Sequence, residues 1–136
     1  MSKTYTELNI GDQASFEKTV SETDVYLFAG ITGDFNPAHV NERTAKETRF
    51  GTRIAHGMLS AGFISTVLGM KLPGEGTIYL SQELNFVAPV IIGDTVKAEV
   101  TVTEKLEKGR VKLKTTCTKQ DGTVVLEGCA LVIAPR

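Results

Sequence analysis

The second half of the chain alternates apolar and polar residues with a period of two, which is the spacing of a half-buried β-strand. A Gly93-Asp94 pair follows the first of these stretches and supplies a turn. The last stretch is apolar on both faces, which predicts an interior strand, and the set predicts an antiparallel meander with one face in water. The four stretches cover residues 78–86, 96–103, 110–118 and 124–133.

The first half of the chain predicts helices and irregular segments instead. Ser21-x-x-Asp24 is an N-cap signature, and Gly33 is a suitable place for the helix to end. A polar, turn-rich segment follows, in which we expect one short helix after Asn41. Residues 58–70 are apolar around nearly the whole helical circumference, which predicts a buried helix.

These elements together predict an α+β fold in which a curved antiparallel sheet wraps one long buried helix. A length of 136 residues suits one folding unit, so we expect a single domain over residues 1–136. A sheet of about five strands packed on one helix leaves its edges uncovered. We therefore expect a homodimer in which two sheets join edge to edge.

Composition and charge exclude several classes of protein. Fifteen Lys and Arg residues against 16 Asp and Glu give a net charge of −1, which argues against nucleic-acid binding. No stretch approaches the roughly 18 apolar residues of a membrane span, and the first residues lack a signal-peptide core. Cys117 and Cys129 have no metal-ligand spacing. We therefore expect a cytoplasmic protein with reduced cysteines, no metal site and no membrane insertion.

Asp34 and His39 form the first candidate site for chemistry. They stand five residues apart on either side of Asn36-Pro37, which cannot continue a helix. Such a bent connection can turn both side chains toward one volume, where a carboxylate and an imidazole act as a general acid/base pair. The residues alone leave another interpretation open, in which Asp34 satisfies backbone amides in a turn and His39 is a hydrogen-bonded loop histidine.

His56-Gly57 begins the buried helix and forms the second candidate site. Amides at a helix N-terminus are unpaired donors, and the missing Cβ of Gly57 lets a carbonyl oxygen approach closely, as in an oxyanion hole. Gly57 could equally serve only a sharp turn or close packing, and we expect His56 to cap the helix rather than to catalyse. Ser65, farther along the helix, could be a polar group of the site or could bond back to a helix carbonyl.

Four motifs carry a resemblance to a known family. The segment TGDFNPAH at residues 32–39 resembles the hydratase 2 motif of the MaoC-like dehydratases. HGML at 56–59, LPGxGxIYL at 72–80 and FxxPV with Gly-Asp within 86–94 fit the same family. The resemblance spans nearly the whole chain, which is most similar to the bacterial (R)-specific enoyl-CoA hydratases.

The resemblance implies a hot dog fold, in which an antiparallel sheet wraps a long central helix, and a homodimer. It implies that Asp34 and His39 are the catalytic pair, that Ser65 assists them, and that the Gly57 amide binds the thioester carbonyl. The remaining implied substrate-binding residues are Asn36, Leu68 and Leu131.

The implied activity is reversible addition of water to short-to-medium trans-2-enoyl-CoA, which gives (R)-3-hydroxyacyl-CoA. Its partner is an acyl-CoA thioester, and the chemistry needs no metal or redox cofactor. Two other functions fit the same residues: an (R)-3-hydroxyacyl-[acyl-carrier-protein] dehydratase, and a non-catalytic acyl-CoA-binding subunit. A thioesterase is disfavoured because the segment that distinguishes hydratases within the hot dog fold is intact.

Overall fold

The computed structural model describes residues 2–136 and shows an α+β arrangement of helices and one antiparallel sheet. The helices precede most of the sheet in the chain, as the sequence predicts. The elements are β1 (Gln13–Thr19), α1 (Glu22–Thr32), α2 (Pro37–Val40), α3 (Glu42–Ala45), α4 (Gly57–Met70), β2 (Ile78–Phe86), β3 (Thr95–Lys105), β4 (Arg110–Lys119) and β5 (Val124–Ile133).

The sheet has five strands in the order β1-β3-β4-β5-β2, and every neighbouring pair is antiparallel. Helix α4 contacts all five strands, so the sheet wraps the helix in the arrangement of a hot dog fold. Strand β5 lies inside the sheet, which confirms the interior position predicted from its two apolar faces.

Two features of the sheet differ from the sequence prediction. The meander holds only for β3, β4 and β5, because β2 crosses to the far edge and pairs with β5 rather than with β3. Strand β1 was not predicted at all. Its inward positions carry only Ala14 and Phe16, so its alternation is too short to stand out from the helical first half.

Helix α4 buries one face against the sheet, with Phe63, Ile64, Val67 and Leu68 in the core. The prediction of a fully buried helix is therefore wrong on its other face, where Met58 is 54% exposed. The apolar pattern is continuous because the outer face of α4 lines a cavity rather than the core.

A polar overhang of three helices and their connections, residues 21–56, covers the start of α4. Ser21 and Asp24 form the reciprocal capping box expected from the sequence, and Gly33 ends α1 with a left-handed φ of 84°. Arg53 holds the overhang together through ion pairs to Glu22 at 2.8 Å and Glu42 at 3.4 Å. Helix α3 confirms the helix expected after Asn41, while α2 was not predicted.

Strand β2 forms one edge of the sheet and exposes large apolar side chains along its length. Ile78, Leu80 and Phe86 are each 45–55% exposed. No helix in the described part of the chain is long and apolar enough to cross a membrane. The chain thus leaves this apolar edge of the sheet uncovered.

Candidate active site

The turn after α1 places Asp34 outside helical geometry. Because Gly33 ends α1, the chain bends at Asp34, whose Oδ1 accepts a hydrogen bond from the Asn36 amide at 3.2 Å. Oδ2 has no hydrogen-bond partner within residues 2–136. The turn interpretation of Asp34 therefore accounts for one carboxylate oxygen and leaves the other available.

Asn36 has a local structural task. Its Oδ1 accepts from the Ala38 amide at 3.0 Å, and Pro37 occupies the first position of α2. This cap starts the short helix that carries His39. The contacts of Asn36 are therefore those of a helix cap, and its expected role in substrate binding remains a prediction.

His39 is held in one orientation by the backbone of a distant segment. Its Nδ1 donates to the carbonyl oxygen of Ile54 at 2.7 Å, and the Ile54 amide donates to the Ala38 carbonyl at 3.0 Å. Because a carbonyl only accepts, the Nδ1 hydrogen is committed, and Nε2 is left to exchange a proton with substrate or water.

The structure brings Asp34, His39 and His56 into one cluster. A carboxylate oxygen of Asp34 and one ring nitrogen of each histidine all lie within 4.8 Å of one another. The spacing of five residues in the sequence thus becomes proximity in space, as the bent Asn36-Pro37 connection predicts.

His56 does not have the role that the sequence predicts for it. As the N-cap residue of α4 it makes no side-chain capping hydrogen bond. Instead its Nε2 donates to the backbone carbonyl of Asp34 at 2.9 Å, and its ring stacks on His39 with centroids 3.8 Å apart. Sequence reasoning missed this role, because a contact between segments 22 residues apart leaves no periodic signal.

The same cluster contains three groups that could ligate a metal ion. The planes of His39 and His56 differ by 28°, so the two rings lie nearly face to face. One nitrogen of each ring is directed at a backbone carbonyl, which leaves the second nitrogen of each ring and the Asp34 carboxylate for proton transfer or for a ligand.

Gly57 opens helix α4 next to this cluster. Its amide makes no hydrogen bond to any other group in the described chain, as expected at a helix N-terminus. A Cβ built at this position would lie 2.6 Å from Cε1 of Phe86, so any larger residue requires that ring to move. The amide is therefore an unpaired donor. Both interpretations of Gly57, close packing against Phe86 and an amide open to a carbonyl oxygen, are consistent with this structure.

Two cavities flank the start of α4. The Gly57 cavity has a volume of about 410 Å³, and its walls include His56, Gly57, Arg49 and Phe86. The Ser65 cavity has a volume of about 440 Å³, and Met58 lines both. The Ser65 cavity is lined by Phe28, Met58, Ala61, Gly62, Ser65, Tyr79, Leu80, Ser81, Gln82 and Leu84.

Ser65 lines the second of these cavities, and its expected role in assisting the catalytic pair remains a prediction. It stands eight residues after Gly57, which is roughly 12 Å along a helix axis. The hydroxyl that bonds back to a helix carbonyl belongs to its neighbour, Thr66, which donates to Gly62. Within residues 2–136 Ser65 has no hydrogen bond to Asp34 or His39.

Leu68 and Leu131 were expected to line the acyl end of the pocket. Leu68 is buried in the core one turn beyond Ser65. Leu131 is opposite Lys112 in the register and shares its outer face, whereas Ala130 pairs with Leu113 toward the core. Leu131 therefore points away from the core, because successive residues of a strand face opposite sides, and its expected role in lining the pocket remains a prediction.

The chain is 59% identical over 132 residues to an (R)-specific enoyl-CoA hydratase from Rhodospirillum rubrum, covering 96% of this chain and 91% of that one. It is 42% identical to an (R)-specific enoyl-CoA hydratase from Aeromonas caviae, with coverage of 94% and 96%.

Solved structures are also similar to this chain. The unliganded R-hydratase PhaJ1 from Pseudomonas aeruginosa superposes with a TM-score of 0.96 at 44% identity, over 99% of this chain and 87% of that one. The sequence model described as MaoC like domain matches residues 7–124. The chain therefore belongs to the family of MaoC-like domain proteins.

Proposed function

We propose that the chain is an (R)-specific enoyl-CoA hydratase, which reversibly adds water to short-to-medium trans-2-enoyl-CoA. The observation that carries the proposal is the cluster of Asp34 and His39 beside the unpaired amide of Gly57. An acid/base pair and an oxyanion donor are the groups that hydration of an unsaturated thioester requires. The names of relatives at 59% and 42% identity support the same chemistry.

The first step draws electrons away from the double bond. The thioester carbonyl accepts a hydrogen bond from the Gly57 amide, where the N-terminus of α4 adds partial positive charge. Carbon C3 becomes electron-poor, and the enolate formed after attack is stabilised at the same oxygen. Removing one such donor typically costs on the order of 10²–10³-fold in rate.

Asp34 and His39 then carry out the proton transfers. Asp34 takes a proton from water while the water oxygen bonds to C3, and the π electrons move to form an enolate. A proton held at Nε2 of His39 joins C2, and the proton on Asp34 returns to His39. One water is consumed, and the reverse sequence dehydrates the 3-hydroxyacyl thioester. A positioned acid or base contributes typically about 10²–10⁴-fold.

The positions of the two cavities support one orientation of the substrate. The acyl chain lies in the Ser65 cavity, whose walls are largely apolar, and the pantetheine arm lies in the Gly57 cavity. Arg49 lines the Gly57 cavity and forms no ion pair within residues 2–136, so it can meet the CoA phosphates. Arg53, by contrast, is occupied by Glu22 and Glu42.

The working unit in this proposal is a homodimer. The exposed apolar side chains of β2 and the outer face of α4, including Leu80 and Met58, form the surface that a second copy would cover. A dimer joined along β2 continues the sheet and closes the Ser65 cavity. We also propose a cytoplasmic location, which the unpaired thiols of Cys117 and Cys129 support.

A dehydratase acting on acyl-carrier-protein thioesters is the second candidate. A mitochondrial 3-hydroxyacyl-[acyl-carrier-protein] dehydratase from Solanum lycopersicum is 35% identical over 131 residues, and its name supports this candidate. The test compares hydration of crotonyl-CoA with that of crotonyl carrier protein. We expect at least a tenfold higher kcat/KM on the CoA thioester, roughly 1.4 kcal/mol. A higher kcat/KM on the carrier-protein thioester would establish the dehydratase instead. If neither thioester is turned over, the remaining function is that of a non-catalytic acyl-CoA-binding subunit.

A further inference from the structure

His56 contacts both members of the candidate acid/base pair. It is 3% exposed and lies between the overhang and the first turn of α4. Its Nε2 donates to the Asp34 carbonyl at 2.9 Å, its ring stacks on His39 at 3.8 Å, and Phe28 packs on it at 4.8 Å.

The contact to Asp34 matters because little else fixes that residue. Asp34 is exposed, and its own carboxylate bonds only to the Asn36 amide two residues away. The hydrogen bond from His56 is the tertiary contact that ties the backbone of this turn to helix α4. The contact to His39 constrains the plane of the catalytic ring, while the Ile54 carbonyl constrains its Nδ1.

The other ring nitrogen of His56 shows that folding stability does not account for a histidine here. Nδ1 is buried and has no hydrogen-bond partner within residues 2–136. A buried polar atom left without a partner costs about 1–3 kcal/mol. An apolar ring of similar shape would avoid this cost, and Phe28 already offers it an aromatic neighbour.

We propose that His56 is a positioning residue that sets the distance and orientation between the Asp34 carboxylate and the His39 ring. The proposal rests on the proposed function, in which these two groups share one substrate and one water. A misplacement of about 1 Å in such a pair can cost on the order of 10²-fold in rate. The capping role expected from the sequence does not compete with it, because His56 makes no capping bond.

The test uses two replacements of His56 with different chemistry. His56→Phe keeps a flat ring against His39 and Phe28 but loses the donor to Asp34. His56→Gln loses the ring but places an amide nitrogen close to the position of Nε2. For crotonyl-CoA hydration by His56→Phe we expect kcat to fall at least about 10-fold with KM within about 2-fold, since a flat ring of similar size still lines the Gly57 cavity and its other walls are unchanged. The melting temperature should be equal to or above that of the wild type.

His56→Gln should recover most of the lost kcat, because the amide can again donate to the Asp34 carbonyl. A purely structural role predicts the opposite pattern, in which both variants lose melting temperature and activity together. That pattern, or a His56→Phe variant with kcat within about 2-fold of wild type, would overturn the proposal.

An activity-independent measurement keeps the two proposals distinguishable. Hydrogen exchange of the Asn36 amide, which bonds to Asp34 Oδ1, should be faster in His56→Phe than in the wild type and close to wild type in His56→Gln. If the wild type hydrates no enoyl thioester but exchange follows this pattern, the proposed function fails while the positioning role stands. Unchanged exchange in His56→Phe contradicts the positioning role.

Discussion

His39 Nδ1 donates to the carbonyl oxygen of Ile54 at 2.7 Å, and this bond determines which ring nitrogen is available for chemistry. The Ile54 segment in turn precedes His56-Gly57 and the start of α4. His39 is therefore bonded to the segment of the overhang that leads directly into α4, so a shift of that segment would change the orientation of the ring.

Replacing either member of the pair should remove most activity without unfolding the chain. For Asp34→Asn and His39→Gln we expect turnover of crotonyl-CoA to fall at least about 10²-fold, the low end for a positioned acid or base. Asp34 is exposed and His39 is half-buried, so we expect both variants to remain folded at the assay temperature. Steady-state kinetics with circular dichroism checks this. A folded variant with near-normal turnover contradicts the mechanism.

Adding a methyl group at Gly57 should obstruct its amide. In Gly57→Ala the new Cβ meets the Phe86 ring at 2.6 Å, and that ring is exposed enough to move aside. We expect kcat/KM to fall about 10²-fold while the fold persists. Gly69→Ala on the same helix is the matched control, since nothing lies within 4 Å of its Cβ and alanine favours helix. Equal losses in both variants would show that access to the Gly57 amide is not the cause.

A larger side chain in the Ser65 cavity should shorten the accepted acyl chain. For Ala61→Leu we expect turnover of trans-2-hexenoyl-CoA, relative to crotonyl-CoA, to fall at least about 10-fold, the range for added methylenes in an apolar pocket. Leu131→Ala serves as the control, because Leu131 lies on the outer face with Lys112. A change of chain-length profile in Leu131→Ala, with none in Ala61→Leu, would place the acyl chain elsewhere.

Asp94 should contribute stability that is lost in acid. Burial opposes its charge, but hydrogen bonds from Gln120 and the Ile91 amide and the ammonium of Lys119 outweigh burial and lower the pKa of this carboxyl. A lowered pKa in the folded state stabilises the protein above the ordinary value of 3.8, and that stability is lost as pH falls below it.

Asp94→Asn should therefore lower the free energy of unfolding at pH 7 by about 1–3 kcal/mol, the range for hydrogen bonds to charged groups. Its stability should also vary less with pH below 4 than that of the wild type. Urea unfolding at pH 7 and pH 3 measures both. If the free energies of unfolding of Asp94→Asn and the wild type differ by the same amount at pH 7 and pH 3, titration of Asp94 is ruled out as the cause.

The local signals in the sequence predicted the first helix well. Ser21, Asp24 and Gly33 act through hydrogen bonds within a few residues, so their pattern survives in the chain alone. The bend at Asn36-Pro37 is equally local, which is why Asp34 and His39 could be paired from their spacing.

The features that could not be predicted depend on contacts between distant segments. The pairing of β2 with β5 is a matter of strand order, which the alternation within single strands does not encode. The inward direction of Ala130 rather than Leu131 is a matter of register, and a strand that is apolar on both faces does not show which face is inward. The stacking of His56 on His39 depends on how the overhang packs against α4. The sequence at this position, a single histidine before a glycine, does not indicate that contact.

Hydration of crotonyl-CoA in deuterium oxide tests the central claim most directly, because it reports the chemistry and the geometry together. With Asp34 and His39 within 4.8 Å of each other, oxygen and deuterium are added from one face of the double bond. The product predicted is (R)-3-hydroxybutyryl-CoA carrying one deuterium at C2 by syn addition. An (S) product, anti addition, or no hydration by the folded protein would contradict it.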